Sequence, residues 1–297
     1  MADTQTRSAA EAADYTAGVC NVCGSPNARL LVRKNGYCVC ECAACGLAFT
    51  HPQPIALEVQ YDAAYFDLYR RRREFRLRRA ERRLEQIELL QPPGRLLDIG
   101  CSLGYFVEAA NARGWKACGI DISEHAVQEA FGLGLDVRAG TLEQACFPDA
   151  SFDCVTMWDV LEHVSDPTAH MLEVRRILAP GGLVVIGTPD LGHLAFAVRR
   201  ERWRHLKPAE HVYYFRRSSL CRLLEKTGFR VVEPPIIGAR RFPGSLGARL
   251  RAAVARLVQL NDVMIVYARA VRRSESDEET PPAAEIPPPA QHNRCGE

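Results

Sequence analysis

The run LLDIGCSLGYF at residues 96–106 constrains this chain more than any other stretch. Leu96-Leu97-Asp98-Ile99 fits a central parallel strand, Gly100 opens a tight turn, and a helix follows the turn. Alternating strands and helices downstream predict an open, doubly wound α/β sheet, in which ligands sit beyond the carboxyl ends of the strands. A dinucleotide fingerprint, G-x-G-x-x-G, uses its middle glycine to bring the backbone against a pyrophosphate at a helix N-terminus. Here the run is Gly100-Cys101-Ser102-Leu103-Gly104, with Asp98 two residues before the first glycine. A carboxylate at that place repels a pyrophosphate and attracts a ligand with a cationic end, such as an ammonium or a sulfonium. The loop favours a cationic nucleoside.

Asp-x-Gly-x-(Gly or Ser)-x-Gly resembles motif I of the class I S-adenosylmethionine (SAM) dependent methyltransferases, with Asp98, Gly100, Ser102 and Gly104 at its four positions. Lys116-Ala117-Cys118-Gly119-Ile120-Asp121 reads as a second strand ending in a carboxylate. Asp121 follows Gly100 by 21 residues, the distance expected of an acidic group that takes two ribose hydroxyls; the lesser alternative is a cap for the helix that begins near Ser123. The resemblance runs over roughly residues 93–236 and implies a Rossmann-like seven-stranded sheet with helices on both faces and SAM as cofactor. A third strand is expected at 135–139, followed by Thr141 and Glu143, either of which falls where the family places groups around the adenine. The fourth, at 151–158, leads into Asp159-Val160-Leu161-Glu162-His163-Val164, which is similar to motif IV of the O-methyltransferases of quinone biosynthesis. Met157 and Trp158 at its end either flank the cofactor or pack in the core. Leu178-Ala179-Pro180-Gly181-Gly182 and the β-branched run after it match the helix, turn and fifth strand of the family. Beyond them come a helix capped by Ser218 or Ser219 and ending at Gly228, a sixth strand at 229–232, an amphipathic helix at 246–260, and a final antiparallel strand at 262–268.

Twelve cysteines in a chain of this size raise the question of disulfides, but strand cysteines such as Cys118 and Cys154 fit a reducing compartment better. Four others form two C-x2-C-G knuckles, Cys20/Cys23 and Cys42/Cys45, with 18 residues between them, the spacing of a zinc ribbon. Asn35-Gly36 is a strong hairpin turn between them. About 30 residues cannot bury much core, so a structural Zn2+ is expected to supply the stability of this small unit. Cys38 and Cys40 compete for the ligand set, since strand alternation can place Cys40 beside Cys42. Four thiolates leave no open position for catalysis.

Residues 70–83 hold nine arginines and two glutamates, a local balance of +7, on a helix expected to continue to about residue 90. Phe66, Tyr69, Leu77, Ala80, Leu84 and Ile87 recur at helical spacing, so one face can dock on the sheet while arginines stay in water. These arginines are either a solvated face or a grip for an anionic acceptor or RNA; few aromatics interleave them, which weakens the RNA reading.

After the fifth strand, Arg202 to Phe215 is rich in hydrogen-bonding groups and is the expected acceptor-facing segment. Small-molecule members of the family show a similar Glu-His followed by aromatics, which makes His211 the candidate base and Glu210 its partner, with His205 and Tyr214 as lesser candidates; the pair could also serve only to close a lid. A rival centre is Asp159, Glu162 and His163, which on a helix would share one face able to take a divalent cation.

The domain organisation expected is a disordered N-terminus at 1–17, the zinc ribbon at 18–50, a basic helical linker at 51–92, the methyltransferase domain at 93–271 with an acceptor-facing insertion at 191–217, and a disordered tail at 272–297 rich in proline and charge. A hydrophobic content of 47% suits one large α/β domain with a small companion, and a net charge of +2 points to no partner. No apolar stretch reaches 18 residues and the first residues carry no signal-peptide core, so a cytoplasmic protein without membrane partners is expected. Ribbon plus core is similar to sugar C-methyltransferases of deoxysugar pathways and to relatives in polysaccharide biosynthesis. The reading is therefore a SAM-dependent enzyme with a small-molecule acceptor, such as a nucleotide-linked sugar. A phenolic or lipid-like acceptor is the second reading. An RNA-binding protein or RNA methyltransferase is the third, and Asp98 and Asp121 speak for a working cofactor site instead. The oligomeric state is not read from the sequence.

Overall fold

A computed structural model of the protein describes residues 19–54, 63–234 and 262–271. The expected terminal segments and the 246–260 helix lie outside the described residues. The large sheet is built around β4 (Arg95–Ile99), with β5 (Lys116–Asp121) and β6 (Val137–Ala139) on one side and β7 (Phe152–Trp158) and β8 (Leu178–Pro189) on the other, all parallel. β11 (Val263–Ala270) runs antiparallel between β8 and β10 (Phe229–Val232), giving the order β10-β11-β8-β7-β4-β5-β6. The seven-stranded mixed sheet expected from the motifs is present.

Strand alternation assigns the two faces. Leu96, Cys154, Leu183 and Val185 point to one core with Ala80, Leu84 and Ile87 of α2 (Arg73–Glu88), Phe106 and Ala110 of α3 (Tyr105–Ala112), and Val127 of α4 (Glu124–Gly132). Leu97, Ile99, Val155, Val184 and Ile186 point to the other, covered by α5 (Pro167–Ile177) and α7 (Arg217–Lys226). Asp98, Thr156 and Trp158, two apart along adjacent strands, share the α2 side by the same alternation.

The basic segment differs from the expected single helix. α1 (Ala63–Arg71) and α2 are separated at Arg72. Phe66 buries against Leu103, Tyr105 and Ala126, whereas Leu84 and Ile87 serve the main core, and the break at Arg72 serves both surfaces. Asp159 to His163 is likewise no regular helix: Asp159 sits at φ +58 and only a 3-10 turn, Leu161–His163, follows. Neither Ser218 nor Ser219 is the cap of α7; Arg216 holds that place and Ser219 Oγ accepts the Arg216 N–H from inside the first turn (3.0 Å).

The N-terminal strands β1 (Ala28–Lys34) and β2 (Tyr37–Cys42) form the expected hairpin, turning through Asn35 and Gly36 at φ +51 and +80. β3 (Ala48–His51) adds to β2, and β9 (Tyr213–Tyr214), from the far side of the sequence, adds to β3. Val32, Val39 and Ala48 share a core with Leu191, Phe196 of α6 (Leu194–Arg199), Trp203, Leu206 and Tyr214. The ribbon strands and the insertion thus complete each other. Trp203 Nε1 in turn donates to Asp262 (2.7 Å) at the foot of β11. Burial alone would raise the Asp262 pKa, but hydrogen bonds from Arg204 and Trp203 outweigh it and hold the carboxyl at about 2.

Candidate active site

The turn after β4 is left-handed at three alternate positions: Gly100 (φ +73), Ser102 (φ +51) and Gly104 (φ +75). A Cβ at Gly100 would stand 2.4 Å from Val160 Cγ2, and one at Gly104 2.5 Å from Leu135 Cδ1, so both the backbone conformation and the space require glycine. Asp121 joins this turn to the next: its carboxylate accepts the Ser102 N–H (2.7 Å) and the Ser123 N–H (2.9 Å). The helix cap considered for Asp121 belongs to Ser123, whose side chain accepts from Ala126 N. Burial raises the Asp121 pKa against those two backbone donors. Each carboxylate oxygen keeps lone pairs for a ligand.

Asp98 is wholly buried and its pKa is pushed up to about 7 by burial, while the Thr156 hydroxyl (2.6 Å) and Arg83 pull the other way. Arg83 was one arginine among nine in the sequence. Its guanidinium lies over the Trp158 ring, 3.6 Å from the centroid, and burial lowers its pKa to about 9. Trp158 Nε1 and Ser102 Oγ are buried without a hydrogen-bond partner among the described residues. Of the adenine candidates, Glu143 pairs with His170 (3.2 Å), which with its other hydrogen bonds holds the carboxyl at about 2, and the Thr141 N–H goes to Gln144.

The second cluster forms where the 3-10 turn meets the insertion. The Val212 N–H donates to the Glu162 carbonyl (2.8 Å), and this bond draws His211 alongside His163, ring centroids 4.8 Å apart and nearly perpendicular. Glu162, His163 and His211 place one ligand atom each within 4.8 Å of the others. The expected trio with Asp159 is therefore corrected: Asp159 acts on Glu162 and His163 through its charge, and His211 takes its place in the cluster. Glu162 is pushed up to about 8 by burial and then by Asp159. His163 is lowered chiefly by burial, and His211 falls well below the usual imidazole range for the same cause, reinforced by His163 and Lys207. Both rings are neutral at pH 7.

Glu210 does not orient the His211 ring, as the sequence had suggested. The Glu210 and His211 N–H groups both turn back to the Lys207 carbonyl, the two side chains diverge, and the Glu210 carboxylate pairs with Lys207 Nζ (2.9 Å). Its carbonyl instead accepts from His163 Nδ1 (2.9 Å). His205 is drawn away to Asp262 (3.3 Å), while the Tyr214 ring packs on His211 at 5.6 Å.

The sequence profile of a family described as "Methyltransferase domain" matches residues 69–234, more than half of the chain. The chain belongs to this methyltransferase family. Among curated relatives, this methyltransferase is similar to the ubiquinone biosynthesis O-methyltransferase of Cereibacter sphaeroides (34% identity over 110 residues; 35% of this chain, 44% of that protein) and of Xanthomonas axonopodis (35% over 125 residues; 39% and 52%). A probable S-adenosylmethionine-dependent methyltransferase of Mycolicibacterium smegmatis is 31% identical over 138 residues (46% and 52%). The chain spans about half the length of these curated relatives. A crystal structure of a SAM-dependent methyltransferase from Archaeoglobus fulgidus shares the fold, with a TM-score of 0.52, 19% identity, and coverage of 70% of this chain and all of that one. The domain is a SAM-dependent methyltransferase domain. Its residues suit that cofactor: a turn that admits no Cβ at Gly100 or Gly104, a carboxylate at each of the first two strand ends, and two buried donors, Ser102 Oγ and Trp158 Nε1, without a partner among the described residues.

The methyltransferase carries its four knuckle cysteines as a tight cluster. Cys20 and Cys45 sulfurs are 3.5 Å apart, as are those of Cys23 and Cys42, and all four lie within 4.8 Å of one another. A disulfide needs about 2.05 Å, whereas the edge of a tetrahedron with ~2.3 Å metal–sulfur bonds is about 3.8 Å. Burial opposes ionisation of Cys42, but the Cys45 and Ala44 amides and the Cys23 thiol outweigh it and bring the pKa to about 7. Cys40 stays outside the cluster, paired across the ribbon sheet with Leu30 and Phe49. The cluster fits a structural zinc. Protein purified without chelator is expected to hold a ribbon zinc by elemental analysis, its zinc content falling by about one per chain in Cys42→Ser; a metal-free wild type of normal thermal stability would refute the assignment.

Proposed function

We propose that the protein transfers a methyl group from SAM to a hydroxyl oxygen of a small-molecule acceptor seated against Glu162, His163 and His211. The observation that carries this reading is the meeting of two neutral imidazoles just past the end of β7, where the segment that carries His163 also packs Val160 against Gly100 of the glycine turn. The names of the curated relatives support oxygen as the methylated atom.

SAM brings a methyl group made electrophilic by its sulfonium. Asp121 takes the ribose hydroxyls, the Gly100 to Gly104 backbone closes over the nucleoside, and Asp98 sets a negative field under the cationic end. Arg83, the cation beside Asp98, meets the amino-acid carboxylate. His211, neutral at pH 7, acts on the acceptor hydroxyl, while the packed walls of Trp158 and Tyr214 hold reactants in line, where alignment supplies most of the rate.

The arginines favour a small acceptor over RNA. Arg70 pairs with Glu129 and Asp67, Arg73 with Glu108 and Arg78 with Glu74, and Arg76 and Arg83 stack on Tyr69 and Trp158. Those charges are engaged within the chain rather than offered as a phosphate-tracking stripe. An anionic group on the acceptor remains part of the proposal, met by the other arginines of α2. The test is transfer of labelled methyl from SAM into two pools of cell extract, one of small metabolites and one of RNA, with Asp121→Ala as blank. Label confined to the metabolite pool is expected; label in RNA would overturn the acceptor class.

A further inference from the structure

We propose that Glu162, His163 and His211 hold a divalent first-row cation whose open positions receive the acceptor's oxygen, an inference that rests on the methyl-transfer reading above. The three ligand atoms lie within 4.8 Å of one another, so small side-chain rotations close them on one ion. Two of these side chains are almost completely buried, Glu162 at 1% and His211 at 5% exposure, and each has an orphaned polar atom: Glu162 Oε1 and His211 Nδ1 have no hydrogen-bond partner among the described residues. Buried polar atoms are seldom left so, and two in one cluster mark a missing ligand.

The remaining atoms of the cluster are already anchored. Glu162 Oε2 accepts from the Thr188 hydroxyl (2.9 Å), which leaves Oε1 free. His163 Nδ1 meets the Glu210 carbonyl at 2.9 Å; a carbonyl can only accept, so Nδ1 carries the proton and Nε2 presents its lone pair. The backbone holds the parts in register through the Val212 N–H to the Glu162 carbonyl, and through the Thr50 hydroxyl to the His211 carbonyl (2.7 Å). Ligands fixed by a carbonyl or hydroxyl on their far side are how proteins orient metal-binding imidazoles and carboxylates. Two imidazoles and one carboxylate suit Mn2+, Fe2+, Co2+ or Zn2+ and leave coordination positions open, unlike the closed four-thiolate cluster of the ribbon.

The chemistry balances without another reactant. An acceptor hydroxyl bound to the cation loses its proton to solvent, its oxygen forms the new bond to carbon, and the pair of the breaking S–CH3 bond returns to sulfur. The products are a methyl ether, the neutral thioether of the spent cofactor and one proton.

The experiment uses full-length protein with its ribbon zinc in place and Mn2+ alone as probe, with free Mn2+ followed by electron paramagnetic resonance. One Mn2+ per chain is expected, with at least a tenfold loss of affinity in Glu162→Gln and in His163→Asn, and unchanged zinc content and SAM binding in both. Thr188→Val, which frees only the outer oxygen, is expected to weaken Mn2+ by a smaller factor. Wild-type protein that binds SAM but takes up no Mn2+ at millimolar concentration overturns the site, as does equal uptake by the variants. SAM binding and label transfer are read separately, so a failed cation site and a failed methyl-transfer reading give different results.

Discussion

Asp121→Ala is expected to weaken SAM binding by roughly 10²–10⁴-fold. The carboxylate would give up two hydrogen bonds between a charged acceptor and ribose hydroxyls, each worth about 1.5–3 kcal/mol. It would also release the Ser102 and Ser123 amides, so the turn after β4 loses the tie that sets its left-handed middle residue. The fold itself rests on the two cores and should survive with a lower melting temperature. Calorimetric titration with SAM, beside a thermal melt, separates the effects. An unchanged affinity in a folded variant would reject the ribose role outright.

His211→Ala should cost about 10²–10⁴-fold in turnover, the usual range for a residue that manages a proton or holds the reacting oxygen. SAM affinity should stay within about threefold, because the glycine turn and Asp121 do not touch this ring. If His211 merely packs the lid, His211→Phe would keep most of the rate; a Phe variant as inactive as Ala is expected instead. Burial lowers the His211 pKa, so the folded ring stays neutral through pH 7. The unfolded chain binds more protons than the native one between the depressed and the ordinary imidazole pKa, and stability therefore falls as pH drops through the ordinary range near 6.5. Asp98 and Glu162 have the opposite sign: their raised native values, about 7 and about 8, remove stability as pH rises through them. The acid limb of stability should flatten in His211→Ala, which pH-dependent melting would reveal.

What the sequence disclosed depended on how local the signal was. The turn Gly100 to Gly104, the carboxylate at Asp121 and the paired knuckles around Asn35-Gly36 are written in consecutive residues, because backbone conformation and ligand spacing there depend on near neighbours. Boundaries set by packing were harder. Leu135 seemed to begin the third strand, but its N–H closes the end of α4 on Ala130 and its side chain lies under Gly104, so β6 starts only at Val137. The Pro-Gly-Gly turn does not separate a helix from the fifth strand; Leu178 already pairs with Phe152, and the next partners are Cys154 and Leu183, so the turn loops out of a continuous β8. Arg83 could not be told from its eight neighbours until α2 was laid across the sheet. His163 and His211 are 48 residues apart, and it takes the tertiary bonds from Val212 to Glu162 and from His163 to Glu210 to bring them together. Lone side chains that act through tertiary contact leave no periodic trace.

The pairing of Ala48 with Tyr214 and Phe49 with Tyr213 also has a meaning in time. A ribosome releases β3 about 165 residues before its partner strand β9, an interval of roughly 10–30 s at ~5–20 residues per second. During that interval the hairpin and its cysteines can assemble, but one border of β3 offers unpaired amides and carbonyls to whatever strand arrives first, including the same border of a second nascent copy. Slow translation through the middle of the message should therefore favour tangled chains, and rapid delivery of Tyr213 and Tyr214 should protect against them.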